Sequence, residues 1–264
     1  MYSVNALIAI DSYKLGHCTM YPEGTTKVYS NFTPRNFKHI ESMFPRDLPF
    51  FKNKAVVFGV SAAFQEIVEA FQLSFFDQPK DEVISEFRNS IIPFIGDNSP
   101  DEIASKFEAL YDLGYLPLRV KSLDEGIMIN AGIPMITITN THPDFSWLPN
   151  YLETFISSQI WKMSTTATIA KVYKNIFDYY AKKTGTAPEF TLFQGHDFSS
   201  RGMSGFADSA RSGAGHLTSF MGSDSVSSVD YVKKYYNAEG FIAGSVPASE
   251  HSIACSFIQN EIKS

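Results

Sequence analysis

Three polar clusters between His196 and Ser252 hold the residue types most able to do chemistry. They are His196-Asp197-Phe198-Ser199-Ser200-Arg201-Gly202, Gly222-Ser223-Asp224-Ser225 and Ser245-Val246-Pro247-Ala248-Ser249-Glu250-His251-Ser252. Each comes after a short apolar run, where a strand would end. An arginine, a carboxylate and a histidine at successive strand ends, with an aromatic beside them, can line one pocket for a flat polar ring attached to phosphate. Arg201 precedes a glycine that could open a helix, and a guanidinium beside the free N–H groups of a helix start makes a two-part anion site. Asp224 has two readings: the N-cap of a following helix, or a pure acceptor in the pocket that welcomes an amide NH₂ and repels a carboxylate. His196 and Asp197 read as a mutually satisfied structural pair, and His251 as a strand-end imidazole beside Glu250.

The elements that must position these clusters alternate. After Pro188 the pattern is strand (Phe190 to Phe193), helix (Gly202 to Leu217), strand (Thr218 to Met221), helix (Asp224 to Tyr236) and strand (Phe241 to Val246). Such alternation predicts parallel βα units with functional groups at the carboxyl ends of the strands. A closed eight-stranded barrel takes about 250 residues, so two or three units fit here. The sheet is then a small open one, or the chain is the front part of something longer.

Upstream, Ser99-Pro100-Asp101-Glu102 predicts a capped helix start with Ile103, Phe107 and Leu110 on one face. Ala55 to Phe71 and Asp81 to Ile92 read as further amphipathic helices. From Leu118 the period changes, and Leu118–Lys121, Ile127–Ile129 and Met135–Thr139, separated by Asp124-Glu125-Gly126 and Asn130-Ala131-Gly132, predict a small antiparallel β unit. Two helices should come next, Leu148 to Lys162 and Thr165 to Lys183, the second ending at Thr184-Gly185.

Bulk composition excludes several functions. The 264 residues carry a net charge of −6 and no basic stripe, which argues against nucleic acid or an anionic membrane surface as partner. No run nears the ~20 apolar residues of a membrane span, and the stretch from Met1 to Asp11 lacks the basic flank of a signal peptide. Two distant cysteines, Cys18 and Cys255, support neither a disulfide framework nor a zinc site and suit a reducing cytoplasm. The 23 Phe and 13 Tyr are first of all core material.

Asp11-Ser12-Tyr13-Lys14 with His17 and Tyr21-Pro22 resembles the nicotinamide phosphoribosyltransferases, of the type II phosphoribosyltransferase family. The resemblance continues through Lys27-Val28-Tyr29-Ser30 with Phe32 and Arg35, Trp147-Leu148 with Glu153-Thr154, and all three clusters above, in order and at similar spacing over nearly the whole chain. It implies transfer of phosphoribosyl from phosphoribosyl pyrophosphate to nicotinamide, giving nicotinamide mononucleotide and pyrophosphate for NAD salvage. It further implies a pyridine ring stacked between Phe198 and Tyr13 of a neighbouring subunit, Asp224 on the carboxamide NH₂, and Arg201, Arg35 and His251 facing phosphate and diphosphate. Mg²⁺ would accompany phosphoribosyl pyrophosphate, and ATP would phosphorylate His251 to drive the reaction.

The expected fold is therefore α/β. An N-terminal α+β region over residues 1–185, with antiparallel strands near 116–140, would lead into the first units of an incomplete βα (TIM-like) barrel over 186–264. Family members continue beyond the histidine motif, so the chain reads as truncated or split from a second polypeptide, weak or inactive alone, and in need of a homodimer or a complementary chain. Ser200 and Ser249 depart from the family, which commonly has an aromatic and an alanine there, and the pattern weakens from Cys255 to Ser264. Two rivals remain: a nicotinate phosphoribosyltransferase, which Asp224 disfavours, and a non-catalytic fragment that pairs with full-length subunits.

Overall fold

The computed structural model describes residues 5–42 and 53–257; the expectations for Met1 to Val4 and for the tail after Phe257 lie outside them. Two 3₁₀ turns, Ala6–Ile8 and Ser12–Lys14, lead into α1 (His17–Met20), β1 (Tyr29–Phe32) and α2 (Lys38–Ser42). Then come β2 (Lys54–Val56), α3 (Val60–Phe71), α4 (Lys80–Ile95), α5 (Pro100–Leu113), β3 (Leu118–Ser122), β4 (Met128–Asn130) and β5 (Ile136–Asn140). The chain continues through α6 (Leu148–Tyr151), α7 (Glu153–Thr184), α8 (Thr191–Gln194), β6 (His196–Asp197), α9 (Phe206–Leu217), β7 (Gly222–Ser223), α10 (Val226–Tyr236) and α11 (His251–Phe257).

The amphipathic helices form where the apolar period places them. In α5, Ile103, Ala104, Phe107 and Leu110 are buried, and Gly114, at φ 77°, ends the helix. Its start differs from expectation. Ser99 stands in the left-handed region at φ 55° and its side chain makes no capping bond, so the capping box does not form. In α4, Val83, Ile84, Phe87 and Ile91 face inward. Phe107 joins α4 and α5 to the segment around α6, its ring 4.5 Å from Phe87 and 5.0 Å from both Trp147 and Tyr151. The Tyr151 hydroxyl donates to the Leu7 carbonyl at 2.6 Å, which satisfies the one polar atom of a fully buried ring.

The helix expected from Ala55 begins only at Val60. Residues 54–56 are instead a strand, held by long α7: the Val56 N–H donates to Thr168 Oγ1 at 2.8 Å and the Ser164 hydroxyl to the Val56 carbonyl at 2.6 Å. The antiparallel unit is real but divided between two sheets. β1, β5 and β3 form one in the order β1-β5-β3, while β4 pairs with β2. The two helices expected from Leu148 to Lys183 are also reapportioned: the break falls at Leu152, and α7 runs unbroken for 32 residues to Gly185 at φ 72°. The polar run Ser164-Thr165-Thr166 looks like a breaker. It is accommodated because the Ser164 hydroxyl reaches Val56 and the Thr168 hydroxyl bonds back to the Ser164 carbonyl at 2.7 Å.

After Pro188 the expected strand Phe190–Phe193 is a 3₁₀ turn followed by α8, fastened by the Thr191 hydroxyl to Asp178 and the Pro188 carbonyl. The strand comes later, as β6. β6 and β7 pair in parallel, and Gly222 bridges in parallel to Gly244, all that forms of the strand expected at 241–246. α9 packs between α7 and α10. Two partly buried ion pairs bind it to the helical region, Lys162–Asp208 at 2.6 Å and Arg211–Glu66 at 2.9 Å. No helix among the described residues is long and apolar enough to cross a membrane.

Candidate active site

The carboxyl ends of β6 and β7 open into a cavity of about 450 Å³ lined by Phe198, Ser200, Arg201, Gly205, Phe206 and Asp224. Its floor is set by backbone and short side chains. The Asp224 N–H donates to the Asp197 carbonyl at 2.9 Å, tying the two strand ends together. Asp197 Oδ1 accepts the Ser199 N–H at 2.9 Å, turning the chain sharply after Phe198. Burial pushes the Asp197 carboxyl up, but the Ser199 hydroxyl and N–H outweigh it, and the group ends below the usual carboxylate range. It is an ionised clasp under the loop.

Phe198 is 62% exposed, and one face of its ring rests on His196, with centroids 4.4 Å apart and planes 29° from parallel. Asp224 lies at the next strand end. Its Oδ1 accepts the Ser245 hydroxyl, and His196 Nε2 at 3.0 Å. The Ser245 hydroxyl first, then His196, with Arg201 adding its charge, hold the Asp224 carboxyl below its ordinary value. Asp224 is therefore an ionised acceptor beside an aromatic face. Its N-cap reading fails: Ser225 stands at the N-cap position and the Asp224 side chain makes no capping bond. The expected pairing of His196 with Asp197 is also corrected, since the imidazole bonds Asp224 instead.

Arg201 belongs to a 3₁₀ turn, Ser200–Gly202, and Gly202 does not open the helix. α9 starts four residues later behind Gly205, at φ 105°, where an L side chain would be strained. The helix start nevertheless borders the same cavity as Arg201, through Gly205 and Phe206.

Three expected site residues, Phe198, Arg201 and Asp224, thus share one cavity, and three stand elsewhere. His251 is the exposed first residue of α11 and is not among the lining. Tyr13, 61% exposed, belongs to a different cavity with Ser12, Gly16, Thr19, Met20 and Phe94. Arg35 is exposed in the loop between β1 and α2. A larger cavity, about 620 Å³, lies between α3 and β3, but its lining is mostly aliphatic and gathers no acid, base and aromatic together. The residues that sequence reasoning left out are His196, Ser245 and Phe206. A signal existed for the first: His196 and Phe198 are two apart at a strand end, the spacing that puts side chains on one face.

A family model described as "Nicotinamide phosphoribosyltransferase, N-terminal domain" matches residues 5–92. A second, the "Nicotinate phosphoribosyltransferase (NAPRTase) family", matches residues 193–264. A curated nicotinamide phosphoribosyltransferase of Acinetobacter baylyi is 47% identical over 96% of this chain and 49% of its own length. One from Mycoplasma pneumoniae is 34% identical over 94% of this chain and 53% of its own length. The chain spans about half the length of the curated relatives it matches. Among solved structures, human nicotinic acid phosphoribosyltransferase superposes with a TM-score of 0.52 at 20% identity, covering 93% of this chain and 40% of that one. That likeness is one of fold.

Proposed function

The chain belongs to the nicotinamide phosphoribosyltransferase family, and on that premise we propose that its cavity holds nicotinamide for transfer of phosphoribosyl from phosphoribosyl pyrophosphate. The products are nicotinamide mononucleotide and pyrophosphate. The observation that carries this reading is Asp224: one carboxylate oxygen is held by Ser245 and His196, the other is left to accept an amide N–H, and Phe198 offers an open ring beside it. A neutral ring stacked there, with its amide on Asp224, has its in-plane rotation fixed. Its ring nitrogen is then aimed at one point.

As the bond from ribose C1 to diphosphate breaks, positive charge grows on the sugar and negative charge on the leaving group. Fixed cations at the diphosphate therefore lower the barrier. Arg201 is the nearest candidate, with Arg35 and His251 in the same role. Tyr13 would cover the second face of the ring from a neighbouring subunit, which makes a homodimer the working assembly, and its high exposure supports this. ATP, as coupling substrate, would phosphorylate His251, whose exposure permits it. Among the described residues no group of three His, Cys, Asp or Glu side chains could hold a metal ion, and Asp224 already engages one oxygen. Mg²⁺ would instead arrive with phosphoribosyl pyrophosphate, whose diphosphate oxygens would supply most of its ligands, and no step is derived through it.

The parallel run from β6 through β7 to Gly244 supports reading residues 186–264 as the first units of a βα barrel on a separate N-terminal α+β region, 1–185. Unpaired Cys18 and Cys255 suit a cytoplasmic location. Large exposed apolar side chains, Phe206 of the cavity at 79% and Val226 at the start of α10 at 80%, support association with a further chain and weak activity of this chain alone.

A second reading, nicotinate as substrate, has the family match at residues 193–264 in its favour. Against it, an ionised carboxylate would meet the like charge of Asp224 across a confined site. Calorimetric titration of the chain with nicotinamide, then with phosphoribosyl pyrophosphate and Mg²⁺, tests the proposal. Saturable binding of nicotinamide is expected. Heat from neither ligand would leave a non-catalytic pairing fragment and overturn it.

A further inference from the structure

His196 is the residue around which the cavity is organised, although it does not line it. Its Nε2 lies 3.0 Å from Asp224 Oδ1, an oxygen of an ionised carboxylate that can only accept, so the imidazole carries its proton on Nε2. Its ring plane lies under Phe198 at 4.4 Å. Its other edge rests against β7: a side chain at Gly222 would put a Cβ 2.9 Å from His196 Nδ1, closer than such atoms approach. Glycine at 222 is what admits the ring. The same imidazole therefore touches both groups expected to recognise the ligand, one by a hydrogen bond and the other by a stacked face.

We infer that His196 is a positioning residue: it clamps Asp224 Oδ1 so that the second oxygen presents to the carboxamide, and it backs the Phe198 ring at the matching height. This deepens, and rests on, the reading of the cavity as a nicotinamide site. A carboxylate held by the Ser245 hydroxyl alone can rotate about its Cβ–Cγ bond, and the free oxygen then leaves the plane of a ring stacked on Phe198. A hydrogen bond to a charged group is commonly equivalent to tenfold or more in an equilibrium constant, so loss of the donor should show directly in affinity.

Two variants separate the two contacts. His196→Phe keeps an aromatic under Phe198 and removes the donor; His196→Gln places an amide N–H near the Nε2 position and removes the ring. In the 264-residue chain, His196→Phe should weaken nicotinamide binding about tenfold or more, while nicotinate stays disfavoured by the charge of Asp224. His196→Gln should stay within about threefold and keep the preference. Nitrogen-15 spectra of the wild-type imidazoles supply a ligand-free readout: the Nε2 proton of His196 should be observable and should move on Asp224→Asn. If wild type binds nicotinamide and His196→Phe binds it equally well, or if the imidazole signal ignores Asp224→Asn, the positioning role is overturned while the site reading survives. If wild type binds no nicotinamide, the site reading fails, and the inference with it.

Discussion

The helical and antiparallel region before Gly185 and the parallel region after His196 are held together by different means. All of the largest fully buried side chains, Tyr151, Phe71, Phe75, Phe87 and Phe107 foremost, lie at or before Tyr151. Strands there pair over three to five residues, in β2–β4, β1–β5 and β3–β5. β6 and β7 pair over two, and most buried residues around them are small, Ser209, Ser212, Gly213, Gly215, Ser223 and Ser228, with Phe220 and Tyr231 the large exceptions. The first region is stabilised by apolar volume. The second depends more on close backbone approach and short polar bonds, and leaves several of its larger apolar side chains, Phe198 and Phe206 among them, facing outward. A site can be built on such an element because its rigidity comes from below, from α7, rather than from its own core.

The contrast can be broken from either side. Phe107→Ala removes the ring at the centre of four packed aromatics and should cost about 3–5 kcal/mol in urea unfolding; a loss under about 1 kcal/mol would show that this cluster does not carry the first region. Gly215→Ala attacks the other kind of stability. Its Cβ would lie 2.7 Å from the Met163 carbonyl oxygen and 2.9 Å from the Ala167 nitrogen, so α9 must move off α7. The expected cost is about 1–3 kcal/mol, with hydrogen exchange accelerated around β6 and β7 and unchanged in α5 and β5. Uniform acceleration would mean the two regions are one cooperative unit.

A smaller effect comes from pH. Burial holds the His216 imidazole below its usual value, outweighing its Nε2 bond to the Gly222 carbonyl at 3.0 Å. The unfolded histidine, near pH 6.5, then takes up a proton before the folded one does. Stability from this group is complete above about pH 6.5 and falls as pH drops through the depressed folded value. The unfolding midpoint should decline on acidification through that range, and His216→Gln should flatten the slope. An unchanged slope in the variant would assign the decline to another group.

Much of this was legible in the sequence where one force dominates. The helices α4, α5 and α10 obey their apolar period, and the turns after Leu113 and Thr184 obey their glycines. Segments that could serve two structures were misread. Lys54–Val56 is a strand because it pairs with β4 and hydroxyls of α7, 108 and 112 positions away, bond the Val56 carbonyl and N–H, and no local pattern encodes those partners. Phe190–Phe193 has strand composition but is turned by Thr191 and Asp178. In the site, Phe198, Arg201 and Asp224 could be read as a set from their places after apolar runs. For His196 the spacing to Phe198 pointed to a shared face, but its neighbour Asp197 offered a nearer partner in sequence than Asp224 does in space.

The most direct test of the account is the selectivity of Asp224. Nicotinamide and nicotinate are titrated separately into wild type and Asp224→Asn, with near-ultraviolet circular dichroism confirming the fold. Wild type should favour nicotinamide by about tenfold or more, and the variant should lose that preference, with nicotinate binding gaining as the like charge is removed. Nicotinate binding wild type as well as nicotinamide does, or an Asp224→Asn protein with unchanged selectivity, would contradict the account.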